Sequence, residues 1–377
     1  MAPKDAGELR ARLAGRRVIV TLGAGGVGKT TTSAALALGL ARRGAKVAVV
    51  TIDPARRLAT ALGLEHLSGE PHLIDAAALD SAKGAGERAF TGELWAMMLD
   101  TKATFDAVIE RLAPDERARE EILANPVYRE LSTAVAGSNE LSAVAKLYEL
   151  HAEHDFDVIV LDTPPSRNAL DFLDAPGRLL GFLEGRALQV FLAPGGLTAR
   201  LFGRGTALVF AIFARVTGVD MLAELSTFFR SLSGILDGFG DRTRAVQKLL
   251  RSEETAFLIV TSPEPEPVQE ARFLAARLRE TGRPEPELIV NRVHLDGLGD
   301  HDEQDAAARL APALGEDLAR RVASNLADFD VLVRRDAATV AELSELLDRR
   351  RPTLVGHLDE EVQDLLGLAR VADQLGV

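Results

Sequence analysis

The sequence predicts an α/β fold, a doubly wound and mostly parallel sheet carrying a helical insertion subdomain. Three observations predict it. A series of apolar runs, each ending in a polar residue, alternates with long helical stretches. A glycine-rich loop joins the first of these runs to an Ala/Leu-rich helix. Finally, residues 176–248 contain no convincing strand and hold eight of the fifteen Phe.

The first run, Arg17 to Leu22, is short and β-branched, and Thr32 to Arg42 has helix-forming residues throughout. Between them lies Gly23-Ala24-Gly25-Gly26-Val27-Gly28-Lys29-Thr30-Thr31, a complete G-x-x-x-x-G-K-[ST] phosphate loop. Glycines at this spacing let successive backbone N–H groups converge on phosphate oxygens, and the helix that starts there adds its positive end. Lys29 is expected to meet the β/γ-phosphates of a nucleotide and Thr30 a Mg²⁺ ion.

Lys46 to Asp53, Asp157 to Asp162, Ala256 to Ser262 and Glu287 to Asn291 read as further buried parallel strands, with Leu94 to Asp100 as another candidate. In such sheets ligands gather at the carboxyl ends of the strands, where the loop, Asp53, Asp162, Ser262 and Asn291 fall. Asp53 is the best-placed carboxylate to orient an attacking water; capping a helix before Pro54 is the alternative reading, and the two can coexist. Asp162 ends an apolar strand downstream of a phosphate loop, the form of a Walker B element, and is expected to hold Mg²⁺ through a water.

Thr104 to His154 and 176–248 are expected to be helical segments within one domain spanning 1–377. Their apolar residues fit either a cover for the sheet or a subdomain face that meets a partner. His357 to Leu375 has apolar residues at helical spacing with a mostly acidic polar face, so it is expected to pack on protein and not on lipid.

The net charge of −12 argues against sequence-independent nucleic-acid binding and against an electrostatically held membrane protein. With no cysteine, a disulfide framework, thiolate metal site or thiol nucleophile is excluded. No N-terminal apolar segment of signal type is present, and a cytoplasmic location is expected. The acidic loop from Asp296 to Glu303 contains His301, which reads as a solvated loop or, alternatively, a metal ligand.

The loop, Asp53-Pro54-Ala55, the run Asp162-Thr163-Pro164-Pro165-Ser166-Arg167-Asn168-Ala169-Leu170 and the Val290-Asn291 strand end together resemble the arsenite-pump and tail-anchored-protein-targeting ATPases. The resemblance covers nearly the whole chain. It implies a deviant-Walker P-loop ATPase of the signal-recognition-particle/MinD class, working with ATP and Mg²⁺ as a nucleotide-sandwich dimer. Asp53 matches the residue that positions water, Asp162 the second switch aspartate, and Asn291 the residue that contacts adenine. The implied function is a hydrolytic switch whose nucleotide state opens a helical surface toward a protein client or membrane-protein partner.

Two departures bear on mechanism. The family loop usually carries a lysine at the second position, reaching across the dimer to the partner's nucleotide; here that residue is Ala24. The charge must come from another cation such as Arg56, Arg57 or Arg167, or from a lysine-bearing paralogue in a heterodimer, or else hydrolysis is slow. The alternative function is therefore a low-turnover ATP-binding regulatory subunit of a heteromeric complex. The second departure is the lack of any cysteine, which removes both the zinc staple of targeting members and the thiolates that bind arsenite.

Overall fold

The computed structural model describes residues 8–53, 55–75, 90–126, 128–129, 138–185, 235–295, 297–299, 301–346, 351–358 and 360–377. Eight strands form one sheet: β1 (Val18–Leu22), β2 (Lys46–Thr51), β3 (His72–Leu73), β4 (Glu93–Met98), β5 (Val158–Asp162), β6 (Thr255–Thr261), β7 (Glu287–Val293) and β8 (Thr353–Gly356). Their order is β3-β4-β2-β5-β1-β6-β7-β8, and every pairing is parallel except β3 with β4.

All the apolar runs read as strands are strands. Each of β1, β2, β5 and β6 is almost wholly buried because both faces of the sheet are covered. Alternate side chains enter two separate cores, as the two-residue period of a strand requires. Ile19, Val49, Val160 and Leu258 meet the helix Lys29–Arg42, while Val20, Val50, Leu161 and Ile259 face a core that includes the helices Ser138–Ala152 and Pro265–Glu280. Burying one such side chain contributes roughly 1.5–3 kcal/mol. A sheet clad on both faces is therefore a rigid base for whatever its strand ends carry.

The stretch from 104 to 154 is helical over Thr101–Leu112, Glu116–Ala124 and Ser138–Ala152. Ile109, Ile122, Tyr128 and Ile235 form a third, smaller apolar cluster that joins these helices to the helical stretch 235–249. Of residues 176–248, the part from 186 to 234 lies outside the described residues, and with it most of the Phe-rich stretch. Among the described residues no helix is long and apolar enough to cross a membrane.

Two edge strands have no counterpart in the sequence reading. β3 is two exposed residues, and β8 has a single buried one, so neither presents an apolar run. The C-terminal helix is also shorter than its periodicity suggests, running from Leu365 to Leu375. Asp364 caps it by accepting from the Gly367 N–H at 2.7 Å, which ends the helix where the sequence pattern would carry it back to His357. This helix does pack on protein, burying Leu368, Val371, Ala372 and Leu375 in the core shared with the helix Lys29–Arg42.

Candidate functional site

The carboxyl ends of β1, β2, β6 and β7 open into a cavity of about 1030 Å³ lined by Gly26, Gly28, Lys29, Thr30, Thr31, Asp53 and Asn291 among others. The loop that forms its floor is held by backbone constraints that only glycine meets. Gly28, the residue before the helix, has φ of 93°, and a Cβ there would lie 2.3 Å from the Asn291 amide nitrogen. At Gly23 a Cβ would lie 2.1 Å from the Val260 carbonyl oxygen on β6. Gly23, Ala24, Gly25 and Val27 do not line the cavity: Val27 is in the core, and Ala24 packs against it.

The helix Lys29–Arg42 begins with no side-chain cap and no acidic residue in its first turn. Its leading N–H groups and the positive end of its dipole are thus directed at the cavity without a competing anion from the helix. Lys29 is 7 % exposed, and its Nζ folds back to donate to the Ala24 carbonyl at 2.8 Å. Burial lowers the Lys29 pKa from its ordinary value; the carboxylates of Asp162 and Asp53 act against that, and the charge of Arg57 adds to it.

Asp162 sits beneath the cavity, fully buried at the end of β5. Its Oδ2 accepts from Thr30 Oγ1 at 2.8 Å and from Thr51 Oγ1 at 2.9 Å, whereas its Oδ1 is buried with no hydrogen-bond partner. Burial pushes its carboxyl up to about 6, against the hydrogen bonds from Thr30 and Thr51 and the charge of Lys29. A carboxylate oxygen left without a donor in the interior is costly. This orphaned oxygen, beside a threonine hydroxyl and an oxygen-rich wall, fits the donor set of a hard divalent cation or its bound water.

Thr51 was legible only as the end of a strand, yet it is the hub of this cluster. Its hydroxyl donates to Asp162 and accepts from the Asp53 N–H at 3.2 Å, so the two aspartates are tied through one side chain. Asp53 Oδ1 accepts from the Ala55 N–H at 3.0 Å, an Asx turn. The helix Arg57–Ala61 that follows is capped at Arg56, so Asp53 is not its N-cap. Thr163 Oγ1 donates to the Thr21 carbonyl at 2.5 Å, which anchors the Asp162-Thr163 segment to β1. A hydroxyl at the carboxyl end of an apolar strand was the only signal that could have marked each of these two threonines.

Asn291 reaches the loop, not only the cavity. Its Nδ2 donates to the Val27 carbonyl at 2.8 Å, and its Oδ1 accepts from the Arg292 N–H at 2.9 Å. Arg292 takes φ of 60°, the one non-glycine in the left-handed region among the described residues, and β7 shifts register between Val290 and Val293.

The far wall of the cavity was not foreseen from sequence. It is built by His294 after β7, Arg335 on the helix Glu316–Leu346, Gly356 at the end of β8, and residues 357–358 and 360–363 beyond it, including Leu358 and Val362. Asp336, fully buried, accepts from the His294 N–H at 3.0 Å, lies 2.7 Å from its Nδ1, and accepts from Arg335 Nε and Nη2. Burial opposes the Asp336 charge, but the hydrogen bonds from His294 and Arg335 outweigh it and hold the carboxyl below its ordinary value. The His294 and His357 rings stack with centroids 5.4 Å apart.

Outside the cavity, His301 pairs its Nε2 with Arg309 Nη1 at 2.6 Å. Among the described residues no group of three or more His, Cys, Asp or Glu is placed to hold a metal. Arg56 and Arg57 are exposed on the cavity rim, while the Arg167 side chain lies outside the described residues.

Comparison with known proteins shows what the chain as a whole is similar to. A sequence model of the family described as anion-transporting ATPase matches residues 16–311. A putative arsenical pump-driving ATPase of Halobacterium salinarum is 31 % identical over 178 residues, 47 % of this chain and 26 % of that protein. The ATPase GET3 of Malassezia globosa is 27 % identical over 277 residues, 72 % of this chain and 71 % of that protein. An uncharacterized Streptomyces coelicolor protein is 28 % identical over 282 residues, covering 74 % of this chain and 62 % of its own length. The chain thus spans about a quarter of the halobacterial relative and under two thirds of the streptomycete one.

Proposed function

Because this chain belongs to the anion-transporting ATPase family, matched over residues 16–311, we propose that it binds ATP with Mg²⁺ and hydrolyses it as a conformational switch. One observation carries the reading. Buried Asp162 takes a hydroxyl from the phosphate loop and another from the strand leading to Asp53, and keeps one oxygen free.

In this reading the N–H groups at the start of the helix Lys29–Arg42 and the Lys29 amine hold the phosphates. Thr30 and Asp162 hold the cation, whose chemistry there is to neutralise phosphate charge. Asn291 fixes the loop from β7 and faces the nucleotide from the same position. Asp53, half-buried on the cavity wall, accepts a hydrogen bond from water and orients it toward the terminal phosphate. Most of the work is positioning and electrostatics, which suits a site assembled on the ends of rigid strands.

The switch function rests on connectivity. β5 passes from Asp162 through Thr163 directly into the helix Ser166–Leu183, so a change at Asp162 acts on the root of that helix. We assign to the helical stretches 104–154 and 176–248 of this one domain a protein client or membrane-protein partner, and to the chain a cytoplasmic, dimeric state, as the resemblance implies. Mg²⁺-dependent hydrolysis is the test. Asp53→Asn is expected to lower kcat about 10²–10³-fold while ATP binding is retained, and Asp162→Asn to abolish the Mg²⁺ dependence of binding. A chain that binds no ATP rules the reading out.

A second reading is favoured by Ala24, whose methyl group packs against the core and carries no charge. Here the chain is a low-turnover ATP-binding subunit complemented by a lysine-bearing paralogue. Single-turnover hydrolysis by the isolated chain, compared with its Ala24→Lys variant, separates the two.

A further inference from the structure

Hydrolysis of a nucleotide in this cavity, the reading on which this inference rests, gathers negative charge on the transferring phosphoryl group. Something in the site must meet it. Lys29 is one cation at the phosphate end, but it lies low in the floor, 7 % exposed, with its amine already donating to the Ala24 carbonyl at 2.8 Å. Ala24 itself contributes only a methyl group packed on the core. Beyond the divalent cation assigned to Thr30 and Asp162, a further charge from this chain has to come from the cavity rim.

We propose that Arg57 is that charge, a catalytic arginine supplied in cis to the terminal phosphate by the loop that also carries Asp53. Arg57 lines the same cavity as Lys29, Thr30 and Asp53 within one chain. It opens the helix Arg57–Ala61, its backbone N–H donating to the Ala55 carbonyl at 2.7 Å, so the loop geometry after Asp53 places it. Its side chain is exposed, and its guanidinium has no hydrogen-bond or ion-pair partner among the described residues. In a chain whose net charge is −12, where many arginines at the surface are paired with carboxylates, this guanidinium on the cavity lining is left available to an anion.

The electrostatics point the same way. Arg57 and Lys29 line one cavity, so an anion held there meets both charges. Arg56, its neighbour, also lines the cavity, but it is shared with a second, small pocket lined by His66 and Met98, which Arg57 does not line. A polyphosphate entering that cavity is attracted by both charges.

In the hydrolytic step a water oxygen, oriented by Asp53, bonds to the terminal phosphorus as the bond to the bridging oxygen breaks. The electron pair leaves with ADP, and the water proton ends on the released phosphate. Arg57 accompanies the phosphoryl oxygens through this step, where the planar guanidinium can donate two parallel hydrogen bonds. A contact made mainly at that stage raises kcat more than it tightens ground-state binding.

The test uses the full chain and three measurements: ADP affinity, trapping of Mg·ADP with fluoroaluminate as a mimic of the transferring phosphoryl group, and kcat for ATP. Arg57→Ala is expected to keep the wild-type melting temperature and to bind ADP within about twofold of wild type. It should lose at least about a hundredfold in kcat and in fluoroaluminate trapping, and Arg57→Lys should recover part of both. Mixing Arg57→Ala with Asp53→Asn chains is expected to restore no hydrolysis, because both groups serve the same site.

Wild-type kcat and trapping in Arg57→Ala overturn the inference while leaving the ATPase reading intact, and rescue in the mixed sample overturns the cis assignment. A wild-type chain that binds no ATP overturns the ATPase reading and takes this inference with it.

Discussion

The side-chain amide of Asn291, two residues before the end of β7, donates to the backbone carbonyl of Val27 inside the glycine-rich loop at 2.8 Å. The two residues are 264 positions apart, and the bond makes the loop's shape depend on a strand two places away in the sheet. Gly28 lets it form, since any Cβ there would occupy the space of the Asn291 amide.

Asn291→Ala leaves the Val27 carbonyl without this donor, a loss of about 1–2 kcal/mol. We expect roughly a tenfold loss of affinity that is the same for ATP and for inorganic tripolyphosphate, measured by calorimetry. A loss confined to the adenine nucleotide would give the amide to the base, and its bracing role would fall.

Asp162 has a pKa raised from 3.8 to about 6 by burial. A raised carboxyl pKa means the native state holds its proton more tightly than the unfolded chain, so the associated stability is present below pH 4 and lost as pH rises through about 6. In the absence of nucleotide and divalent cations, Asp162→Asn should therefore be more stable than wild type at pH 8, by on the order of 3 kcal/mol. The gap should close toward pH 4. Urea denaturation across this range checks it, and a gap that does not change with pH contradicts the assignment.

Asp336 behaves with the opposite sign. Its carboxyl is held below the ordinary value, so its stabilisation is present above the unfolded pKa and is lost as pH falls through the lowered native one. Asp336→Asn weakens the grip on His294 and Arg335 and should destabilise the chain by about 2–4 kcal/mol at pH 7. The difference should shrink below pH 4. Thermal melting at both pH values reads it, and an equal deficit at each would assign the loss to packing alone.

Gly23→Ala sets a Cβ 2.1 Å from the Val260 carbonyl, a backbone atom in the middle of the sheet that has no room to yield. A destabilisation of more than about 3 kcal/mol is expected, with loss of nucleotide binding. At Gly26, where a Cβ meets nothing within 4 Å but φ is 80°, the same substitution should cost only about 1–2 kcal/mol. Equal costs at the two positions would show that conformation and not contact governs the loop.

The amino-acid sequence alone determined the parallel strands, the loop between β1 and its helix, and the placement of Asp53 and Asp162 at strand ends; Asn291, read as the end of its strand, lies within β7, which runs on to Val293. Each of these is a local signal: an apolar run, a glycine spacing, a polar residue that stops a strand. Tertiary structure decided the rest. Thr51 became the link between two aspartates only because β2 and β5 pair in register, with Thr51 beside Asp162.

The cavity's far wall needed three distant segments, at His294, at Arg335 and at residues 356–358 with 360–363, to converge through Asp336 and a strand too short to show a pattern. Hydrophobic periodicity reports how each segment is buried, whereas which side chains meet depends on strand order and helix packing, and no single segment encodes those. The end of the cavity formed by the glycine-rich loop was legible for that reason, and the opposite end was not.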